Sequence, residues 1–274
     1  MSIFGFSSED GNGHIVMGEA GDFYDMRAYL ARRLLETEPV NHGKWQTLDV
    51  SQSSAHATYE LLNSTLWYQM PQHLQGAVLA IKPSWPWAED HFQERVAGYP
   101  INPGVEHENW PFHQGHVELH QHGGKYDHNY MERMWPKLLH YEYGMAKELA
   151  FQGYRFNVGD LGDVIDQLKQ DRGTRQAYLP IWFPEDTGAT SGQRVPCSLG
   201  YHFIIREGIL HLQYNLRSCE IYRHFTNDIY MAVRLAQHVA SSLEDNVTLG
   251  QLTTHIVSLH GFIADHDVIE GMQA

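Results

Sequence analysis

Along the 274-residue chain the apolar positions recur with two different periods, and the switches between them mark out the elements. In DFYDMRAYLARRLLET, residues 22–37, the positions Phe23, Met26, Leu30 and Leu34 fall three or four apart and predict a helix. ATYELLNSTLWYQM, 57–70, reads as a strand that Pro71 interrupts. PWAEDHFQERVAG, 86–98, predicts a short helix with Pro86 near its start and Gly98 behind it. Residues 99–125 are rich in Pro, Gly, His and Asn without a period, and are expected to form a long irregular insertion. Helical spacing returns at 128–150 and again at 160–171, where Asp160 is placed to cap. Tyr178–Phe183 is a short apolar strand. LGYHFIIR and GILHLQYNL, 199–206 and 208–216, alternate on either side of Glu207-Gly208 and predict a hairpin. A long helix is expected over 226–244 and a strand over 251–263. Residues 1–20, polar and Gly-rich, read as a loose leader with one short strand. With no internal repeat and no linker, the order predicts a single α+β domain over 1–274, a mixed sheet packed with helices.

Composition bounds the function. The chain is 42% hydrophobic with 7 Trp and 15 Tyr, enough to bury a sizeable core and to argue against disorder. A formal charge of −14 with only 19 Lys and Arg argues against a nucleic-acid polymer as partner, yet a small phosphate ligand needs only a few local arginines. Two cysteines, Cys197 and Cys219, do not make a secreted disulfide framework and fit a reducing cytoplasm. The first residues lack a basic segment followed by an apolar core, so no signal peptide is expected. No apolar run reaches the length of a membrane span.

The chemistry concentrates in 172–262. Arg194-Val-Pro-Cys197-Ser198 puts a cysteine just before the hairpin. Leu216-Arg217-Ser218-Cys219-Glu220 puts an Arg-Ser pair where the hairpin ends, and Asn227-Asp228 opens the next helix. A thiolate is a strong nucleophile where a neighbouring cation favours the charged form. Two short strands separate Arg217 from Cys197, so the hairpin can return the guanidinium to the same end of the sheet. Arg217, Ser218 and Arg175 are also suited to phosphate oxygens. From the residues alone this describes a cysteine nucleophile beside an anion site, or a cysteine that is merely a small buried residue.

The run RVPCSLGYHFIIREGILHLQYNLRSCEIYRHFTND resembles the core of the thymidylate synthase family, with its Pro-Cys nucleophile, hairpin, Arg-Ser-x-Asp motif and base-reading residue. DQLKQDRGTRQAYLPIWFPED resembles the preceding helix and Arg-bearing strand, and SLHGF at 258–262 the Asp-x-His-x-Tyr segment. The resemblance covers about a third of the chain and weakens before residue 140. It implies a thymidylate synthase-like fold, a sheet-to-sheet homodimer, and 5,10-methylenetetrahydrofolate as cofactor. By the same resemblance Cys197 attacks pyrimidine C6, Arg217 and Ser218 hold the nucleotide phosphate, and Arg175 reaches the partner's phosphate across the dimer. His260 joins the ligand network. Gln176 stands where a second Arg is common, Glu220 where the motif has Asp, and Phe262 where a Tyr hydroxyl contacts the sugar.

The base-reading position holds Asp228, where ordinary thymidylate synthases have Asn. A carboxyl that accepts from the cytosine amino group and shares a proton with N3 matches cytosine, and the pattern is similar to the family's deoxycytidylate (dCMP) hydroxymethylase branch. Asp is also common at a helix start. HFQERVAGYPIN resembles the segment carrying the general acid/base, which points to Glu94, with Glu60 as competitor; Lys82 falls near the folate-tail contact but reads equally as a solvated lysine. The expected function is hydroxymethylation of dCMP or CMP, by transfer of a one-carbon unit to C5 through a Cys–C6 adduct and addition of water. The alternatives are methylation of dUMP and a non-catalytic nucleotide-binding homologue. His113, His116, His120, His122 and His128 invite a metal, but no cysteine is near and no helix frames them, so none is expected.

Overall fold

The computed structural model describes residues 4–9, 15–20, 22–45, 48–113, 121–122, 124–142, 158–187, 194–244 and 246–273. Its strands are β1 (Phe4–Glu9), β2 (Ile15–Ala20), β3 (Lys44–Trp45), β4 (Leu48–Asp49), β5 (Thr58–Gln69), β6 (Gln121–His122), β7 (Lys125–Tyr126), β8 (Tyr178–Pro180), β9 (Ser198–Arg206), β10 (Ile209–Glu220) and β11 (Thr248–Phe262). The helices are α1 (Phe23–Leu35), α2 (Leu74–Ile81), α3 (Trp87–Arg95), α4 (Tyr130–Met134), α5 (Pro136–Glu142), α6 (Leu161–Gln170), α7 (Pro184–Thr187), α8 (Phe225–Ser242) and α9 (His266–Gly271). Among the described residues no helix is long and apolar enough to cross a membrane.

One seven-stranded sheet runs β2-β1-β5-β11-β10-β9-β8. The neighbours are antiparallel except β10 and β11, which are parallel. Parallel neighbours need a long crossover, and α8 supplies it, packing against β10, β11, α2 and α3. Its burial follows from apolar residues on nearly every side, Phe225, Ile229, Tyr230, Val233, Ala236 and Val239 among them. The hairpin turns where expected: Glu207 and Gly208 both have positive φ, 53° and 74°, the two-residue turn whose twist suits antiparallel strands.

The core alternation breaks at the same level in three neighbouring strands. On β5 Leu61 and Ser64 are buried with Leu62 and Asn63 exposed between them, and Asn63 has φ 51°. On β11 the buried pair is Ile256 and Leu259; on β10 it is Leu216 and Cys219. These residues pair across the sheet, Leu216 with Ile256 and Ile256 with Ser64, then Cys219 with Leu259 and Leu259 with Leu61. The extra residue in each strand is a β-bulge, and the stacked bulges keep the strands in register. The consequence for function is local: Arg217 and Ser218, though consecutive, both leave the core face.

Two expectations are corrected. Residues 4–9 and 15–20 are not a loose leader but paired edge strands, β1 lying on β5. The helix α2 was not foreseen; it has eight residues and lacks a side-chain cap at His73, so no start signal marks it, although Pro83 follows its left-handed Lys82 as a stop. The insertion is irregular over most of its described residues, with one 3-10 turn at Val105–His107 and the β6–β7 ribbon. The helical stretch at 128–150 is two short helices, α4 and α5, and 143–150 lie outside the described residues.

Candidate active site

Cys197 immediately precedes β9 and is half-buried. The Arg217 backbone N–H donates to the Cys197 carbonyl at 2.9 Å, which ties the start of β9 to the bulge of β10. The Ser218 hydroxyl lies 3.6 Å from Cys197 Sγ and Arg217 Nη2 lies 3.9 Å from it. The guanidinium is held by the segment that carries the cysteine: Nε donates to the Pro196 carbonyl at 2.8 Å and Nη2 to the Val195 carbonyl at 3.2 Å. The bulge is therefore what lets Arg217 and Ser218 both face one sulfur, and both are partners for a sulfur anion. Arg194 adds a further cation near Cys197. Burial pushes its pKa down, while Cys197 and Tyr130 act the other way.

Asp228 lies in the first turn of α8, its N–H donating to the His224 carbonyl at 2.8 Å. Burial pushes its carboxyl up to about 6, and the Arg95 guanidinium and a hydrogen bond from Cys219 oppose this. Cys219 Sγ is 3.6 Å from Asp228 Oδ2. The neighbouring Asn227 is spent elsewhere: its amide accepts from the Ser84 N–H at 2.9 Å and donates to the Ser84 hydroxyl at 3.2 Å.

Two groups not singled out by sequence complete this wall. The Arg95 guanidinium sits 4.2 Å from the centre of the Tyr130 ring. Ser198 Oγ is 3.2 Å from Tyr130 Oη and 2.6 Å from Tyr214 Oη, and Tyr201 stacks on Tyr214 at 4.5 Å. Burial pushes the Tyr130 phenol up, and the charges of Cys197 and Asp228 add to it. Arg95 follows Glu94 in the segment already noted, but nothing in its spacing reveals its partner. Tyr130 reaches the site from beyond the insertion.

His260 pairs in register with Glu220 on one side and Glu60 on the other. Burial pushes its pKa down, so the ring is neutral at pH 7, and Phe262 meets it edge-on at 5.9 Å. Glu60 accepts from the Ser258 hydroxyl and lies 3.6 Å from His42. Glu220 is buried, and its two oxygens accept from the backbone N–H groups of Tyr222 at 3.0 Å and Arg223 at 2.6 Å. It builds the turn that delivers α8, and with it Asp228.

Glu94, on α3, accepts from His91 Nδ1 at 3.2 Å and from the Glu106 N–H at 3.0 Å. Burial raises its pKa, but these hydrogen bonds outweigh it and hold the carboxyl below its ordinary value. From here a run of rings leads toward Asp228: Trp87 stacks on His91 at 5.2 Å, meets Trp110 at 6.4 Å, and Trp110 stacks on His224 at 5.2 Å. The Lys82 ammonium lies 4.1 Å over the Tyr24 ring.

Arg175 and Gln176 are exposed and line a polar depression with Gln167, Asp171 and Thr174. The Arg175 carbonyl lies 2.9 Å from His202 Nε2. His202 is five residues along β9 from Cys197, roughly 16 Å of strand, so within one chain Arg175 stands apart from the sulfur. His116 and His120 lie outside the described residues, as does the His122 side chain. Among the described residues no group of three His, Cys, Asp or Glu is placed to hold a metal.

The fold has close counterparts among solved structures. The thermostable thymidylate synthase A from Bacillus subtilis superposes with a TM-score of 0.64 at 14% identity, covering 92% of this chain and 84% of that one. The T4 phage thymidylate synthase gives 0.59 at 18%, covering 89% and 79%. In sequence the chain is 36% identical over 106 residues to a protein of Methanothermobacter marburgensis provisionally named thymidylate synthase, covering 38% of this chain and 45% of that protein. A Methanosarcina barkeri protein with the same provisional name is 27% identical over 132 residues, covering 48% and 58%. The chain thus spans about half the length of the relatives it matches. The thymidylate synthase family profile matches residues 112–270, more than half of the chain and the whole span from Tyr130 to His260, and the chain belongs to that family.

Proposed function

We propose that the chain is a folate-dependent pyrimidine nucleotide C5 hydroxymethylase acting on a cytosine monophosphate, dCMP or CMP. The observation that carries this reading is Asp228, a buried carboxyl with a pKa of about 6, on the same wall as Cys197. Such a group can accept from the cytosine amino group and share a proton with N3.

The Cys197 sulfur adds to C6, which makes C5 nucleophilic. C5 takes up the one-carbon unit and loses its proton. Water then adds to the exocyclic carbon as the sulfur leaves C6. Arg217 and Ser218 steady the sulfur anion and hold the phosphate, His260 orders the ligand network, and Tyr130 offers a hydroxyl between Cys197 and Asp228. Glu94, ionised at pH 7 by its hydrogen bonds, moves protons through water; Glu220 acts by shaping the turn. 5,10-Methylenetetrahydrofolate, when bound, would supply the one-carbon unit and depart as tetrahydrofolate, taking the electron pair of the carbon–nitrogen bond that breaks. Aromatic residues that would flank its flat ring system are at hand: Trp110 stacks on His224, whose carbonyl accepts from the Asp228 N–H, and Phe112 meets Tyr222 edge-on at 5.0 Å.

Incubation with dCMP, CMP and dUMP plus methylenetetrahydrofolate, with products identified by mass, tests the reading. A 5-hydroxymethyl product with tetrahydrofolate is expected. A methylated uracil nucleotide with dihydrofolate would establish thymidylate synthase activity instead, and no exchange of the C5 hydrogen with any nucleotide would indicate a non-catalytic homologue. Glu94→Gln should lose more turnover in this assay than Glu60→Gln.

We also propose a sheet-to-sheet homodimer. The reading is supported by the face of the sheet opposite the core, which carries half-exposed residues such as Trp67, His202, Ile204 and His255, and by Arg175, which is exposed and stands apart from Cys197 within one chain. Mixing Arg175→Ala with Cys197→Ser chains should then restore about a quarter of the parent activity, since random pairing leaves one intact composite site in half the dimers. An active monomer in sedimentation would defeat it.

A further inference from the structure

A side-chain carboxyl or amide has two faces to offer a base. Turning it over about its last torsion exchanges its two terminal atoms, so a residue at position 228 reads one base only if something fixes which atom faces N3. Among the described residues Cys219 is the only side-chain donor within hydrogen-bond reach of Asp228, at 3.6 Å from Oδ2, and its other acceptor, the Glu220 carbonyl, is farther at 3.9 Å. The remaining groups around the carboxyl act through their charge or their bulk: Arg95 from α3, Tyr130 from α4, Tyr201 from β9 and Tyr214 from β10.

We propose that Cys219 is a specificity-determining positioning residue, whose S–H donates to Asp228 Oδ2 and fixes that atom as the acceptor facing pyrimidine N3. This rests on the reading of Asp228 as the base reader. Sulfur donates weakly but accepts still more weakly, so the contact is favourable only when an acceptor is turned toward it. Cys219 is 2% exposed, and burial together with the Asp228 charge pushes its thiol well above the ordinary range, so it remains a donor at pH 7. An oxygen that already accepts from the thiol binds a further proton less strongly. The proton shared with cytosine then sits toward N3, which withdraws electrons from the ring and favours addition of Cys197 at C6. The amino group of the base donates to Oδ1.

The orientation is tested most directly with an amide at 228. In Asp228→Asn the amide oxygen should stay toward Cys219 and face N3, which suits uracil; reading cytosine requires the amide to turn over and set its NH2 against the S–H. Removing the thiol in Asp228→Asn/Cys219→Ala frees that turn. The measurement is kcat/KM on dCMP and dUMP for the single and double variants, taken as a ratio within each protein so that any loss of folded fraction cancels. The single variant should shift toward dUMP, and the double variant should move back toward dCMP by about five- to tenfold, as expected for one weak hydrogen bond. Equal ratios in the two variants would overturn the role of Cys219 and leave Asp228 as base reader. A single variant that does not move toward dUMP would overturn the base reading itself, and the proposal with it.

Discussion

Cys197→Ser is expected to lower kcat/KM by roughly a thousandfold or more while leaving the fold within about 1 kcal/mol of the parent. The substitution is nearly isosteric at a half-buried position, and the backbone bond from Arg217 N–H to the Cys197 carbonyl does not involve the side chain. The Arg217 guanidinium is anchored on the Val195 and Pro196 carbonyls, so it keeps its place when the sulfur is gone. What is lost is the nucleophile. A serine hydroxyl beside an arginine and another hydroxyl has no base within this cluster to take its proton, whereas sulfur needs far less help to carry negative charge. Exchange of the C5 hydrogen with solvent should vanish along with turnover, because both need the bond to C6. A serine variant that still exchanged C5 hydrogen would remove Cys197 from the mechanism, whatever its effect on product formation.

How far this site could be read from the chain depends on how local each contact is. The approach of Arg217 to Cys197 was legible because a hairpin of known turn chemistry joins them, and Glu207-Gly208 turns as its residue types demand. That Arg217 and Ser218 would both face the sulfur was not read. Its trace is nonetheless in the pattern: Leu216 and Cys219, Leu61 and Ser64, and Ile256 and Leu259 are each core pairs three apart inside strands of period two. One such break looks like noise, and its meaning appears only when the three strands are set side by side. Arg95 and Tyr130 belong to a harder class. They meet across the irregular insertion, where no period fixes direction and only tertiary packing sets the contact. At the N-terminus the Gly- and Ser-rich composition hid the alternation that pairing with β5 supports, which is how an edge hairpin came to resemble a loose leader.

Asp228→Asn is expected to move the preference from cytosine toward uracil nucleotides by roughly ten- to a hundredfold in the ratio of kcat/KM, the cost of a mismatched polar pair in a closed site. With its oxygen turned toward N3, the amide accepts from uracil N3–H and donates to O4. Against cytosine the same orientation sets an oxygen against the N3 lone pair and an NH2 against the amino group. The pH dependence follows from the same carboxyl. Its pKa is raised to about 6, so the proton it shares with N3 is present below that value and is lost as pH rises through it. The advantage of parent over Asn variant on dCMP should therefore shrink as pH rises through about 6. Taking parent over variant on one substrate removes pH effects that lie in the substrate alone. Were that quotient flat from pH 5 to 8, the carboxyl would not be titrating against the base. Were the parent to prefer dUMP at every pH, Asp228 would be a helix-start residue and the cytosine assignment would fall.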